Sequence, residues 1–127
     1  MSRASVLIVD DDADIRELLA ETLACEGFEV STAANGLQGL QVLRSLKVRP
    51  SVILLDLMMP VMDGYAFLEH HRLDPALASI PVAIVTAGHG VNRDRLRGAF
   101  EIVKKPFDVP RLLGLLRAVE SGGVSSA

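Results

Sequence analysis

Val52-Ile53-Leu54-Leu55-Asp56-Leu57-Met58-Met59-Pro60-Val61-Met62-Asp63-Gly64 decides the fold. Four consecutive branched aliphatic residues, preceded by Pro50 and stopped by a carboxylate, predict a short strand buried on both faces. Pro60 and Asp63-Gly64 are turn formers, so residues 57–63 read as a loop, and a helix follows from Tyr65 to about Arg72. The same pattern repeats in both directions. Upstream, Val6 to Val9 is an apolar strand halted by Asp10, Asp11 and Asp12. Residues 13–26 then carry Ile15, Leu18, Leu19, Thr22 and Leu23 at helical spacing, with Asp12 or a neighbour as cap and Gly27 as stop. Phe28 to Thr32 is a second strand, and Asn35-Gly36 turns into a helix bearing Leu37, Leu40, Val42, Leu43 and Leu46.

Downstream, Pro81 to Val85 is a strand ending at Thr86, and Phe100 to Val103 is a fifth ending at Lys104-Lys105-Pro106. The polar segment 91–98 between them has room for two helical turns, and Gly88, Gly90 and Gly98 weaken even those. A last helix over about 109–120 buries Leu112, Leu113, Leu115, Leu116 and Val119. Strand and helix alternate along the whole chain. That order predicts an α/β fold: a mostly parallel five-stranded sheet with helices on both faces, right-handed crossovers, and a short or irregular fourth helix. Residues 1–120 make one domain, and Ser121 to Ala127 read as a flexible tail or the start of a linker.

The chain has 127 residues, half of them hydrophobic, enough for a single core and too few for a second domain. Mean hydropathy is +0.35, yet every apolar run falls far short of the ~20 residues that span a bilayer. Residues 1–9 are too soon interrupted by charge for a secretory signal. The expectation is a cytoplasmic protein with no membrane partner. A net charge of −3 with dispersed Lys and Arg argues against direct contact with nucleic acid. Arg93, Arg95 and Arg97 share their segment with Asp94 and read as a solvated face. Cys25 has no second cysteine to pair with and reads as an apolar filler in a helix.

In open parallel sheets, ligands bind at the carboxyl ends of the strands. The polar residues that fall there are Asp10, Asp11 and Asp12 after the first strand, Asp56 after the third, Thr86 after the fourth and Lys105 after the fifth. Carboxylates at 10, 11 and 56 repel one another, and a divalent cation holds such a set together most easily. Mg²⁺ suits oxygen ligands. Three negative charges would be offset by the +2 of the metal and the +1 of Lys105. A carboxylate beside a cation, a lysine and a hydroxyl can serve as nucleophile in phosphoryl transfer, where catalysis is mainly positioning and charge stabilisation. Other polar residues take plainer roles. Asp12 and Asp14 cap a helix start, and Lys104 points away from Lys105 to the surface by strand alternation. His70, His71 and His89 are expected on the exposed surface, and Met58, Met59 and Met62 pack the loop.

Val6-Leu7-Ile8-Val9-Asp10-Asp11, Asp56-Leu57-Met58-Met59-Pro60-Val61-Met62-Asp63-Gly64, Pro81-Val82-Ala83-Ile84-Val85-Thr86-Ala87 and Lys105-Pro106-Phe107 together resemble the bacterial response-regulator receiver domain. The resemblance covers nearly the whole chain. It implies the flavodoxin-like strand order 2-1-3-4-5 and a cis bond between Lys105 and Pro106. It also implies that Asp56 accepts phosphate from a phosphohistidine on a sensor histidine kinase or histidine phosphotransfer protein, and that an output protein or domain responds. The metal set it implies for Mg²⁺ is Asp11 directly, Asp10 through water, Asp56, and the backbone carbonyl of Met58. Thr86 and Lys105 would contact the phosphoryl group.

The chain departs from that family at Ile102 and in the stretch between Thr86 and Lys105, which is a few residues shorter than typical. Ile102 stands where an aromatic residue usually swings inward, and a β-branched side chain has few rotamers. Phe100, two residues earlier, would point the same way by strand period. Met58 and Gly88 occupy the positions that tune dephosphorylation, and neither can orient water, which predicts a persistent phosphoryl group. A non-standard output surface is expected around residues 91–98. Two rivals are weaker. A phosphatase of the haloacid-dehalogenase type would need an acid at position 58, where Met stands, and a scaffold that is never phosphorylated would be expected to lack an Asp, Thr or Lys that this chain retains.

Overall fold

The structure, a computed structural model, describes residues 4–88 and 90–120. The tail expected over 121–127 and His89 lie outside them. Five strands, β1 (Ser5–Val9), β2 (Glu29–Ala33), β3 (Val52–Leu55), β4 (Val82–Thr86) and β5 (Ala99–Lys104), form one parallel sheet in the order β2-β1-β3-β4-β5. Four α-helices connect or follow them: α1 (Ala13–Cys25), α2 (Gly36–Ser45), α3 (Gly64–Leu73) and α4 (Val109–Glu120). No helix among the described residues is long and apolar enough to cross a membrane.

Alternation along the buried strands builds two cores. Leu7, Val9, Ile53, Leu55, Val82 and Ile84 face α2 and α3, where Leu40, Leu43, Phe67 and Leu68 cover them. Val6, Ile8, Val52, Leu54, Ala83 and Val85 face the other way, under Leu19 and Leu23 of α1 and Leu112, Leu116 and Val119 of α4. β1, β3 and β4 are covered on both faces, which is why they read as continuous apolar runs. Each fully buried aliphatic side chain contributes about 1.5–3 kcal/mol. Caps set the helix starts: Asp12 accepts from the amides of Asp14 and Ile15, Asn35 from Gln38, and Asp63 from Ala66. Gly27 ends the α1 segment at φ +94°.

The expected short fourth helix is a single 3-10 turn, Arg93–Leu96. Gly90 and Gly98 bracket it in left-handed conformations, at φ +68° and +98°, which an α-helix cannot continue through. The turn is tied to α3 instead. The Asn92 amide donates to the Tyr65 hydroxyl at 2.9 Å, and the Arg95 guanidinium lies over the Tyr65 ring at 4.5 Å. Arg93 and Arg97 are exposed, as a solvated face requires.

Several side chains sit elsewhere than their sequence suggests. Phe100 does not share a side with Ile102. The β4–β5 register pairs Val82 with Ala99 and Ala83 with Glu101, so Phe100 is the extra residue of a β-bulge. Ile102 packs on the α2–α3 core and Phe100 on the α1–α4 core. Leu18 and Met58 are exposed, and Leu113 and Leu115 are only half-buried. Cys25 is the last residue of α1 and exposed rather than a filler, since two residues past the buried Leu23 it lies on the opposite face of the helix.

His71, expected on the surface, is buried. It is 2 % exposed, on the α3 face made by Gly64, Phe67 and Leu68, one and two turns before it. Its Nε2 lies 2.9 Å from the Ile80 carbonyl, which can only accept, so Nε2 carries the proton. Nδ1 is buried with no hydrogen-bond partner among the described residues. Burial holds the His71 pKa below the ordinary value of 6.5, despite the Ile80 carbonyl and Asp74. The native state therefore binds its proton later than the unfolded chain does. The contribution is intact above pH 6.5 and is lost as pH falls below it. His71→Gln keeps a donor without titrating. In chemical denaturation between pH 7.5 and 5, its stability should improve relative to wild type as pH drops; a constant difference would contradict a buried neutral His71.

Candidate functional site

The carboxyl ends of β1, β3, β4 and β5 meet at one rim because the strand register is continued by backbone bonds past the strand ends. Asp56 N donates to Val9 O at 2.9 Å, Asp10 N to Ala33 O at 3.1 Å, and Lys105 N to Thr86 O at 2.9 Å. Asp10, Asp56 and Thr86 are all buried. Asp11 is exposed at the lip. One carboxylate oxygen from each of Asp10, Asp11 and Asp56 lies within 4.8 Å of the others.

Three acids this close carry unfavourable Coulomb energy, and among the described residues only one ammonium answers it. Lys105 Nζ is 2.7 Å from Asp10 Oδ2 and 3.7 Å from Asp56 Oδ2. The Lys105–Pro106 bond is cis. Asp10 is further held by the Asp12 amide on Oδ1 at 2.9 Å and by Arg16, whose Nη1 donates to the Asp10 carbonyl at 2.7 Å. Arg16 escaped notice in the sequence because it lies within a helix, away from any strand end. Asp56 accepts the Leu57 amide at 2.8 Å. Its pKa is nonetheless pushed up to about 6, first by burial and then by Asp10; Lys105 and the amides of Leu57 and Met58 pull the other way without prevailing. All-oxygen donors, hard and anionic, with a surplus of negative charge, fit a hard divalent cation such as Mg²⁺.

The loop after β3 is shaped by close backbone approach. Gly64 donates to Leu57 O at 2.9 Å, and a side chain there would run into the backbone of Asp56 and Leu57. Gly36 N donates to Met62 O at 2.9 Å, pinning the same loop to α2. Val61, at φ +68°, is the centre of a tight turn closed by Met62 N to Pro60 O at 2.7 Å. A β-branched residue in that region is strained by on the order of 1–3 kcal/mol. Met59 and Met62 pack on the α2–α3 core, while Met58 is 68 % exposed.

Thr86 is at the rim, but its hydroxyl accepts the Gly88 amide at 3.0 Å, and no hydrogen bond joins it to Asp56 among the described residues. The hydroxyl proton stays free to donate. Beside it opens a cleft of about 310 Å³ lined by Thr86, Gly88, Val91, Arg93, Ile102 and Lys104. Lys104 is exposed and lines that cleft, paired with Thr86 in the β4–β5 register, whereas Lys105 reaches Asp10 and Asp56.

A family model described as the response regulator receiver domain matches residues 6–117, and the chain belongs to that family. Among solved structures it is similar to the chemotaxis protein CheY4 of Vibrio cholerae, with a TM-score of 0.82 and 34% identity, covering 93% of this chain and 99% of that one. It is similar also to the response regulator TrrA of Thermotoga maritima, solved in complex with Mg²⁺ and BeF, at a TM-score of 0.80 and 30% identity, covering 91% of this chain and 98% of that one. The DNA-binding dual master transcriptional regulator RpaA of Synechocystis sp. is 37% identical over 118 residues, covering 90% of this chain and 48% of RpaA. The chain spans about half the length of several curated relatives it matches.

The raised Asp56 pKa has a consequence for folding. Native Asp56 takes its proton near pH 6 and the unfolded chain near 3.8, so the native state holds more protons between those values. Stability falls as pH rises through that window and stays lost above it. With EDTA present at pH 7.5, Asp56→Asn should therefore be more stable than wild type by roughly 1–3 kcal/mol, the gap closing as pH approaches 4. Equal stability in urea titrations at pH 7.5 would contradict the charge crowding.

Proposed function

We propose that this chain is the phosphoacceptor receiver of a two-component phosphorelay, with Asp56 the residue phosphorylated. The observation that carries the reading is the convergence of Asp10, Asp11 and Asp56 on one rim with Lys105 reaching two of them. Asp56, ionised above its pKa of about 6, attacks the phosphorus of a phosphohistidine on a sensor histidine kinase or a histidine phosphotransfer protein. The new bond is O–P, the bond broken is P–N, and the imidazole leaves with a proton from solvent. Lys105 neutralises a phosphoryl oxygen, and Thr86 turns its free hydroxyl proton toward another.

The residues that would hold Mg²⁺ are Asp10, Asp11, Asp56 and the backbone carbonyl of Met58, and the bound ion would supply the positive charge that lets three acids and a phosphoryl group share the rim. The module signals rather than turning over a substrate: the phosphorylated surface is what a partner reads. Residues 1–120 form the receiver, and 121–127 act as a tail or the start of a linker to an output domain. The relatives of about twice its length include one named as a DNA-binding transcriptional regulator, so in a longer protein the output would be a separate domain. The dispersed basic residues here favour no direct contact with DNA. The place of action is the cytoplasm. With Met58 and Gly88 unable to orient water, the phosphoryl group is lost slowly.

Acetyl phosphate with MgCl₂ tests this directly. Intact-mass measurement should show one added phosphate on the wild type, none on Asp56→Asn, and persistence of the adduct after the donor is removed. Continuous release of inorganic phosphate would make the protein a hydrolase. Absence of any adduct would make it a binding scaffold.

A further inference from the structure

Arg16 lies on α1, outside the strand-end set, yet its Nη1 donates to the carbonyl of Asp10 at 2.7 Å. That carbonyl belongs to the peptide that joins Asp10 to Asp11. The peptide unit is planar, so holding its oxygen fixes the plane and with it the direction in which the chain enters Asp11. Asp11 depends on this more than its neighbours do. Asp10 has the Asp12 amide and Lys105 on its carboxylate, and Asp56 has the Leu57 amide and Lys105. Among the described residues the Asp11 carboxylate has no hydrogen-bond or ion-pair partner, so only its backbone places it beside the other two.

We propose that Arg16 is a positioning residue for the acidic cluster: by pinning the Asp10–Asp11 peptide it aims the Asp11 carboxylate into the cation site. This rests on the reading of that cluster as a Mg²⁺ site. Positioning and simple charge predict opposite signs. A guanidinium near the cluster repels a cation, so on charge alone its removal tightens Mg²⁺ binding. If Arg16 acts through the peptide, its removal loosens the preformed ligand set and weakens binding.

The test is a MgCl₂ titration of the whole protein, followed by the amide NMR shifts of Asp11 and Leu57, on wild type, Arg16→Met and Arg16→Lys. Arg16→Met should need about three- to ten-fold more Mg²⁺ for half-saturation, the range that one net hydrogen bond is worth. Arg16→Lys, with the charge and a donor on a differently shaped head, should fall between the two. Thermal unfolding of each variant without Mg²⁺ provides the control, and the loss of affinity should appear at temperatures where all three are fully folded. Unchanged or tighter binding by Arg16→Met overturns the positioning role. A wild type that takes up no Mg²⁺ overturns the reading of the cluster and this role with it.

Discussion

Like charge crowded at the end of a parallel sheet is the constraint on which the rest of this molecule depends. Asp10 and Asp56 are buried side by side with Asp11 at the lip, and Lys105 spans the two buried acids. Desolvation and mutual repulsion raise the Asp56 pKa even against the lysine and two backbone amides. Such an arrangement costs stability and persists because the surrounding fold over-determines it. It also leaves the rim short of positive charge, which is what makes a divalent cation and a phosphoryl group compatible with the same few atoms.

The over-determination is traceable. Parallel pairing sets β1, β3 and β4 in one register, and the ladder runs on through the amides of Asp10, Asp56 and Lys105 after the strands have ended. Two independent cores, one under α2 and α3 and one under α1 and α4, clamp the sheet from both sides. The β3–α3 loop is closed by Asp63 capping α3, by Gly64 on Leu57 and by Gly36 on Met62, which together hold Val61 in its strained turn. The opposite side of the rim is built more loosely. One 3-10 turn, anchored through Tyr65 to Asn92 and Arg95, stands where a full helix would cover β4 and β5, and a cleft remains beside Thr86.

Most of the fold was legible because buried parallel strands announce themselves as uninterrupted aliphatic runs, and because Asp12, Asn35, Asp63 and Gly27 punctuate the helices in the conventional places. The candidate residues that the structure brings to one rim, Asp10, Asp11, Asp56, Thr86 and Lys105, could be placed there for the same reason, since each stands at or just past the end of a strand. What stayed hidden depends on tertiary detail. A bulge moved Phe100 to the other face from Ile102, which no count of alternating residues reveals. His71 was hidden by its chemistry, since a polar residue was expected outside; its position at helical spacing from Phe67 and Leu68 was the available signal. Arg16 reaches the site through a backbone carbonyl, and a contact of that kind has no pattern in side-chain order. Thr86 was expected to contact a phosphoryl oxygen; that the Gly88 amide donates to its hydroxyl oxygen, leaving the proton free, is a loop contact with no signal in the sequence.

The claim that crowded carboxylates define this site is tested most directly by titrating the Asp56 side-chain carboxyl by carbon-13 NMR, with EDTA and again with saturating MgCl₂. The account predicts a midpoint near 6 without the cation. With Mg²⁺ it predicts a marked fall to below the ordinary carboxylate range as the added charge stabilises the anion. A midpoint near the ordinary value under both conditions would contradict it.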